Sequence, residues 1–141
     1  MVIVAGNSDT VTGQNSDGAS VNIVYGDQAA TNPNDIQVKV FCFHFNGSDT
    51  ASATLIPGQN LFFTFPPSEA DLWYCQFESQ LQAPTPKTFQ QSFEVWKHDQ
   101  VVSNFLNQCL DCKWKVQFDG FYWFSDETNA WILEYPWLQT A

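Results

Sequence analysis

Cys109-Leu110-Asp111-Cys112-Lys113-Trp114-Lys115-Val116-Gln117-Phe118-Asp119-Gly120-Phe121-Tyr122-Trp123-Phe124 is the stretch that decides the fold. Trp114, Val116 and Phe118 alternate with Lys113, Lys115 and Gln117, the period-2 pattern of a half-buried strand. Asp119-Gly120 then gives a strong hairpin signal, because both residues tolerate positive φ in a type I′ turn. A second aromatic strand follows at once. The reading is an antiparallel hairpin over residues 112–118 and 121–124, with Cys109 and Cys112 at its base. One more strand is expected over residues 131–135.

Working outward, short apolar runs recur between turn residues, as in a sandwich. Strands are expected over residues 21–25, 36–45, 52–56, 61–65, 72–77 and 93–96. The run 36–45 is the longest. Ile36, Val38, Val40 and Cys42 share one of its faces and Phe41, Phe43 and Phe45 the other, which predicts a strand covered on both sides. Trp73, Cys75 and Phe77 share a face, as do Trp114, Val116 and Phe118, and these read as core. Residues 80–91, with Pro84 and Pro86, and residues 97–108 read as long polar loops. No segment reads as a long helix and nothing repeats at a fixed period. The fold class is therefore all-β, a small antiparallel β-sandwich.

The 141 residues make one domain, long enough to bury a real core. Thirteen Phe and six Trp favour strands and bury large areas. Five Lys, no Arg and fifteen acids give a net charge of −10. Nucleic acid is not an expected partner, since phosphate binding needs a clustered basic surface. A basic or neutral partner is favoured. No apolar run approaches the ~18 residues of a membrane span, so no membrane insertion is expected. Residues 1–20 are rich in Asn, Ser, Asp, Gly and Thr and form an extension ahead of a domain at 21–138. They read as a flexible tail, or as edge strands at Val2-Ile3-Val4 and Thr10-Val11-Thr12 that pair with a neighbour's sheet. Met1-Val2-Ile3-Val4-Ala5-Gly6 lacks the basic region of a signal peptide and reads as a mature start or one that misses the leader.

The four cysteines, Cys42, Cys75, Cys109 and Cys112, are expected to form two disulfides. Pairing Cys42 with Cys75 and Cys109 with Cys112 is disfavoured, because a C-x-x-C bridge closes a tiny loop. The other two pairings each tie the C-terminal hairpin to both earlier strands, every loop contributing roughly 3–4 kcal/mol. C-x-x-C spacing also suits zinc, but the second ligand pair is missing, and a redox C-x-x-C precedes a helix rather than a strand. Glu94 and Glu134 are strand carboxylates of the kind glycoside hydrolysis uses, yet strand acids mostly point to solvent. No nucleophile elbow or phosphate loop is present. The reading is a non-enzymatic protein with no cofactor and no metal site. Trp96, Trp123, Trp131 and Trp137 are the rings that would stack on sugars if exposed together. Asn46-Gly47-Ser48 is a glycosylation sequon on a predicted turn, in keeping with secretion.

The Cys109-x-x-Cys112-x-Trp114-x-Val116 run with Asp119-Gly120 and Tyr122 resembles the plant self-incompatibility S1 family, the S-protein homologues. Val38-Lys39-Val40-Phe41-Cys42 is similar to that family's first cysteine strand. Leu55-Ile56-Pro57-Gly58 with Phe62-Phe63-Thr64-Phe65, then Trp73-Tyr74-Cys75-Gln76-Phe77, then Phe93-Glu94-Val95-Trp96, agree in order. The resemblance spans roughly residues 20–138. It implies a secreted, extracellular recognition ligand, of the type known as a pistil signal read by a receptor on pollen. The expected partner is a cell-surface receptor protein, met by loops carrying Gln80, Lys87 and Gln91, and Lys97, His98, Asp99 and Asn104. A lectin-like domain for a cell-wall glycan is the alternative, with a self-assembling protein that donates its N-terminal strand as a third. Monomer and homo-oligomer both fit the sequence. The acidic balance and the N-terminal extension depart from the family pattern.

Overall fold

A computed structural model describes residues 2–7, 19–26, 37–45, 49–65, 72–81, 87–97, 109 and 111–140, the first six through their backbone. Among the described residues the chain forms eleven strands: β1 Val2–Asn7, β2 Ala19–Tyr25, β3 Val38–His44, β4 Thr50–Leu55, β5 Gln59–Phe65, β6 Leu72–Leu81, β7 Lys87–Lys97, β8 Asp111–Gln117, β9 Gly120–Ser125, β10 Ala130–Tyr135 and β11 Leu138–Thr140. They build two facing sheets, ordered β1-β5-β2-β8-β9-β10 and β11-β7-β6-β3-β4. The all-β sandwich expected from the sequence is therefore the fold. Its ladders are antiparallel except for β2 on β8, which runs parallel with Val21 beside Cys112 and Ile23 beside Trp114. β1 pairs with β5 of its own chain and lies at a sheet edge.

Several expectations are corrected. β3 is covered on one face only: Val38, Val40 and Cys42 are buried, whereas Phe41 is 43% and Phe45 64% exposed. The longest strand is β7, with eleven residues. β6 and β7 extend as paired strands to Leu81 and Lys87, so most of the loop expected over 80–91 is strand. Cross-strand pairing of Gln80 with Thr88 satisfies backbone groups that a polar loop would leave to water. The β8–β9 hairpin is present, but its turn is Phe118–Asp119, with Gln117 paired to Gly120. Phe118 is consequently 63% exposed rather than core. Asp119 does not take positive φ, Asn129 being the one non-glycine residue among those described that does. Gly120 has φ 149°, and a Cβ there would sit 2.5 Å from the Tyr135 carbonyl oxygen. Close approach of the end of β10, not a type I′ turn, demands the glycine.

The inward faces meet in an aromatic core. Phe93 on β7 touches Phe77, Trp114, Phe121 and Tyr135, with ring centroids 4.3–5.2 Å apart. Trp114 and Phe121 belong to the six-stranded sheet and Phe77 to the other, so Phe93 joins the two layers. The Trp114 indole N–H donates to the Val95 carbonyl at 3.0 Å, a buried bond between sheets. Phe93→Ala removes the ring common to all four contacts and should cost about 3–5 kcal/mol, read as a lower denaturant midpoint at unchanged far-UV circular dichroism under native conditions.

All four cysteines are bonded, as Cys42–Cys75 and Cys109–Cys112. This is the pairing that loop length argued against. Strand register overrides loop length: Cys42 and Cys75 stand directly opposite on β3 and β6 with Cα atoms 4.0 Å apart, both fully buried. With those two sulfurs bonded to each other, Cys109 and Cys112 pair together, their Cα atoms 5.1 Å apart and within bridging range. Loop closure ascribes about 4 kcal/mol to the bridge spanning 33 residues and about 2 kcal/mol to the bridge spanning three. Cys42→Ser with Cys75→Ser should therefore destabilise the chain about twice as much as Cys109→Ser with Cys112→Ser, checked by urea unfolding of the two double variants.

Candidate functional site

The residues expected to make recognition loops are dispersed. Gln80 lies near the end of β6 and Lys87 begins β7; both are exposed. Gln91 sits within β7 and its side-chain amide donates to the Pro136 carbonyl at 2.9 Å, pinning the segment that crosses between sheets. Lys97 ends β7. His98, Asp99, Asn104 and the sequon residue Asn46 lie outside the described residues.

The four tryptophans expected as a sugar-stacking set also separate, and for two of them that reading is corrected. Trp96 is 3% exposed. Simple alternation from Phe93 would turn it outward with Glu94, but the ladder shifts so that Trp73 pairs with Trp96 while Tyr74 pairs with Glu94. This β-bulge sends both Val95 and Trp96 into the core, where Trp96 meets Phe65 edge-on at 5.0 Å. Trp123 is 6% exposed, on the inward face with Phe121. Trp137 is half-buried against Phe121, its indole N–H donating to the Gln117 carbonyl at 2.8 Å. Only Trp131, 37% exposed, presents a ring outward.

Trp131 belongs to a surface on β8, β9 and β10 that the sequence reading missed. Register places Lys115 beside Tyr122, Tyr122 beside Leu133 and Phe124 beside Trp131. The Lys115 ammonium lies 4.5 Å from the Trp131 ring centre and that of Lys113 5.3 Å from Phe124, while Phe124 meets Trp131 edge-on at 5.1 Å. These cation–π contacts put two of the chain's five lysines on one aromatic face. Ile132 and Leu133 are also exposed, and among the described residues β10 is an edge strand, so an apolar strand has no described partner on its outer side. The available signal was the lysine–aromatic alternation on the two hairpin strands, which became a surface only once register was known.

A bulge beyond Leu133 gives β10 its last turn of direction. Leu133 pairs with Tyr122 and Tyr135 with Phe121, so the extra residue Glu134 rotates Tyr135 into the core against Phe93. Desolvation raises Glu134 above the usual carboxylate range, and burial followed by the nearby Glu134 and Glu94 charges raises Tyr135. At the hairpin tip the Tyr122 hydroxyl donates to the Asp119 carboxylate at 2.6 Å. Beside it Tyr25, Val38, Phe89, Phe118 and Trp137 border an apolar notch of about 70 Å³ at one end of the sandwich. The sulfurs of Cys109 and Cys112 are bonded to each other and so are not available to a metal.

The chain is thus a two-sheet β-sandwich whose four cysteines form two disulfides, which is consistent with an extracellular protein. The model of a family described as plant self-incompatibility protein S1 matches residues 29–137, and the chain belongs to that family. It is a family of recognition proteins rather than enzymes, which supports a plant recognition or signalling role. No curated protein matches the chain. β2 precedes the matched residues, yet it occupies the middle of the six-stranded sheet.

The hydrogen bond to Asp119, followed by desolvation and the carboxylate's charge, raises the Tyr122 phenol above its usual value. Asp119→Asn should lower it toward that of an ordinary tyrosine, the ionised phenol losing an unfavourable neighbouring charge. Ring-carbon NMR shifts followed through alkaline pH resolve Tyr122 from the other three tyrosines and check the direction.

Proposed function

We propose that this chain is a secreted, non-enzymatic signalling ligand of the S-protein-homologue type, bound by a cell-surface receptor protein. Membership of the S1 family carries the reading. Two formed disulfides that engage every cysteine support it, because such bonds persist in oxidising compartments. The receptor docks on the outward face and edge of β10, with Trp131 and Leu133 at the centre and Lys113 and Lys115 beside them. Exposed Trp at the centre of an apolar patch is the usual anchor of a protein interface, and an open strand edge adds backbone pairing. Recognition needs no movement of the scaffold, since the sheets hold the patch in place.

Two measurements test this. Protein recovered from extracellular fluid of its native source should carry both disulfides and a glycan on Asn46 by non-reducing peptide mapping. Four free thiols in an intracellular fraction would overturn secretion. Fluorescently labelled chain should also bind plant protoplasts in a saturable, protease-sensitive manner, weakened roughly tenfold or more by Trp131→Ala at unchanged melting temperature. Binding that survives protease treatment of the cells, or no saturable binding, would overturn the receptor reading.

A further inference from the structure

The outward face of the five-stranded sheet, on the opposite side of the sandwich from Trp131, forms a broad concavity of about 650 Å³. Its floor is a grid set by register. Ser52, Phe41, Gln76 and Ser92 stand in line across β4, β3, β6 and β7. One step along the strands Thr54, Lys39, Glu78 and Gln90 form a second row, and one step the other way Phe43 lies beside Tyr74. Each row crosses three interstrand spacings, about 14 Å.

The chemistry of this floor is specific. Phe41, 43% exposed, continues through Phe43 to Tyr74 with ring centres 6.1 and 5.6 Å apart, so an aromatic step rises from the middle of the face. Exposed neutral hydrogen-bonding side chains, Ser52, Thr54, Gln76, Gln90 and Ser92, surround it. A primary amide offers donor and acceptor together, which matches adjacent sugar hydroxyls, each both donor and acceptor. The weakly positive C–H face of a pyranose ring meets the negative face of an aromatic ring. A protein partner would call for a largely apolar centre depleted in such small polar groups. The charges lining this ground are Lys39 against Glu78, with Glu94 at the margin, on a chain of net charge −10, so an anionic polysaccharide gains nothing and is repelled overall.

We propose that this face is a binding site for a neutral, extended glycan lying across the strands, with Phe41 as the stacking platform and Gln76 and Gln90 as the hydrogen-bonding groups. The site is distinct from the β10 surface and does not depend on the receptor reading. None of the tryptophans expected to contact sugar takes part in it.

The test is direct titration of the intact, oxidised chain with cellohexaose and xylohexaose, and with oligogalacturonate as the anionic comparator, followed by amide NMR shifts and calorimetry. At least one neutral hexasaccharide should bind saturably with shifts confined to β3, β4, β6 and β7. Phe41→Ala should weaken that binding roughly tenfold, Gln76→Ala should weaken it as well, and Trp131→Ala should leave it unchanged. Failure of both neutral sugars to bind, binding insensitive to Phe41→Ala and Gln76→Ala, or tighter binding of oligogalacturonate would each overturn the proposal. Because Gln76 is exposed and its truncation leaves the core intact, a folding defect in Phe41→Ala does not shield the idea.

Discussion

Aromatic packing around Phe93 is the constraint on which the rest of this structure depends. Among the described residues no ladder of backbone hydrogen bonds joins the two sheets, so the layers hold together through what lies between them. Phe93 lies against Phe77 on its own sheet and against Trp114 and Phe121 on the other, with Tyr135 closing the fourth side. The Trp114 bond to Val95 fixes the offset between layers. Burial of large rings is non-directional in its driving force; this single indole N–H supplies direction. The disulfides play another part. Cys42–Cys75 staples neighbours within one sheet and Cys109–Cys112 a short turn, so neither spans the core.

Two bulges convert this core into surfaces. At Val95–Trp96 an extra residue pulls a tryptophan inward, and at Glu134 another turns Tyr135 inward while Trp131 and Leu133 stay out. A side chain's face in a strand follows from parity, and one inserted residue inverts parity for everything beyond it. The outward aromatic face of β10 and the inward Tyr135 are thus two consequences of one irregularity. Gly120 is bound to the same feature, because the chain leaving β10 passes so close that a side chain there would strike the Tyr135 carbonyl.

The two outward faces differ in the way recognition surfaces differ. On β8–β10, Lys115 lies over the exposed Trp131 ring and Lys113 over the half-buried Phe124 ring at a sheet edge, suited to burying apolar area against a protein. On the five-stranded sheet, amides and hydroxyls surround one aromatic step in a broad concavity, suited to a ligand made of hydroxyls and C–H faces. A family of recognition proteins carried on a rigid sandwich has room for both, since each face is the unused side of a sheet whose other side is core.

Local pattern alone determined the class of fold, the positions of most strands and the hairpin after Cys112, because period-2 alternation is a property of consecutive residues. Val40, Trp73, Phe77 and Trp114 are buried, and their burial was legible from neighbours one or two positions away. The cysteine partners, the inward turn of Trp96, the exposure of Phe41 and Phe118, and the extension of β6 and β7 were not. Each depends on which strand lies opposite, and cross-strand register is a long-range quantity that no window of sequence contains. Both candidate surfaces fall on that side of the line: Lys115 meets Trp131, and Phe41 stands beside Gln76, only because folded strands bring residues 16 and 35 positions apart into contact. The sequence carried the residues and their alternation; tertiary register alone decided which of them share a face.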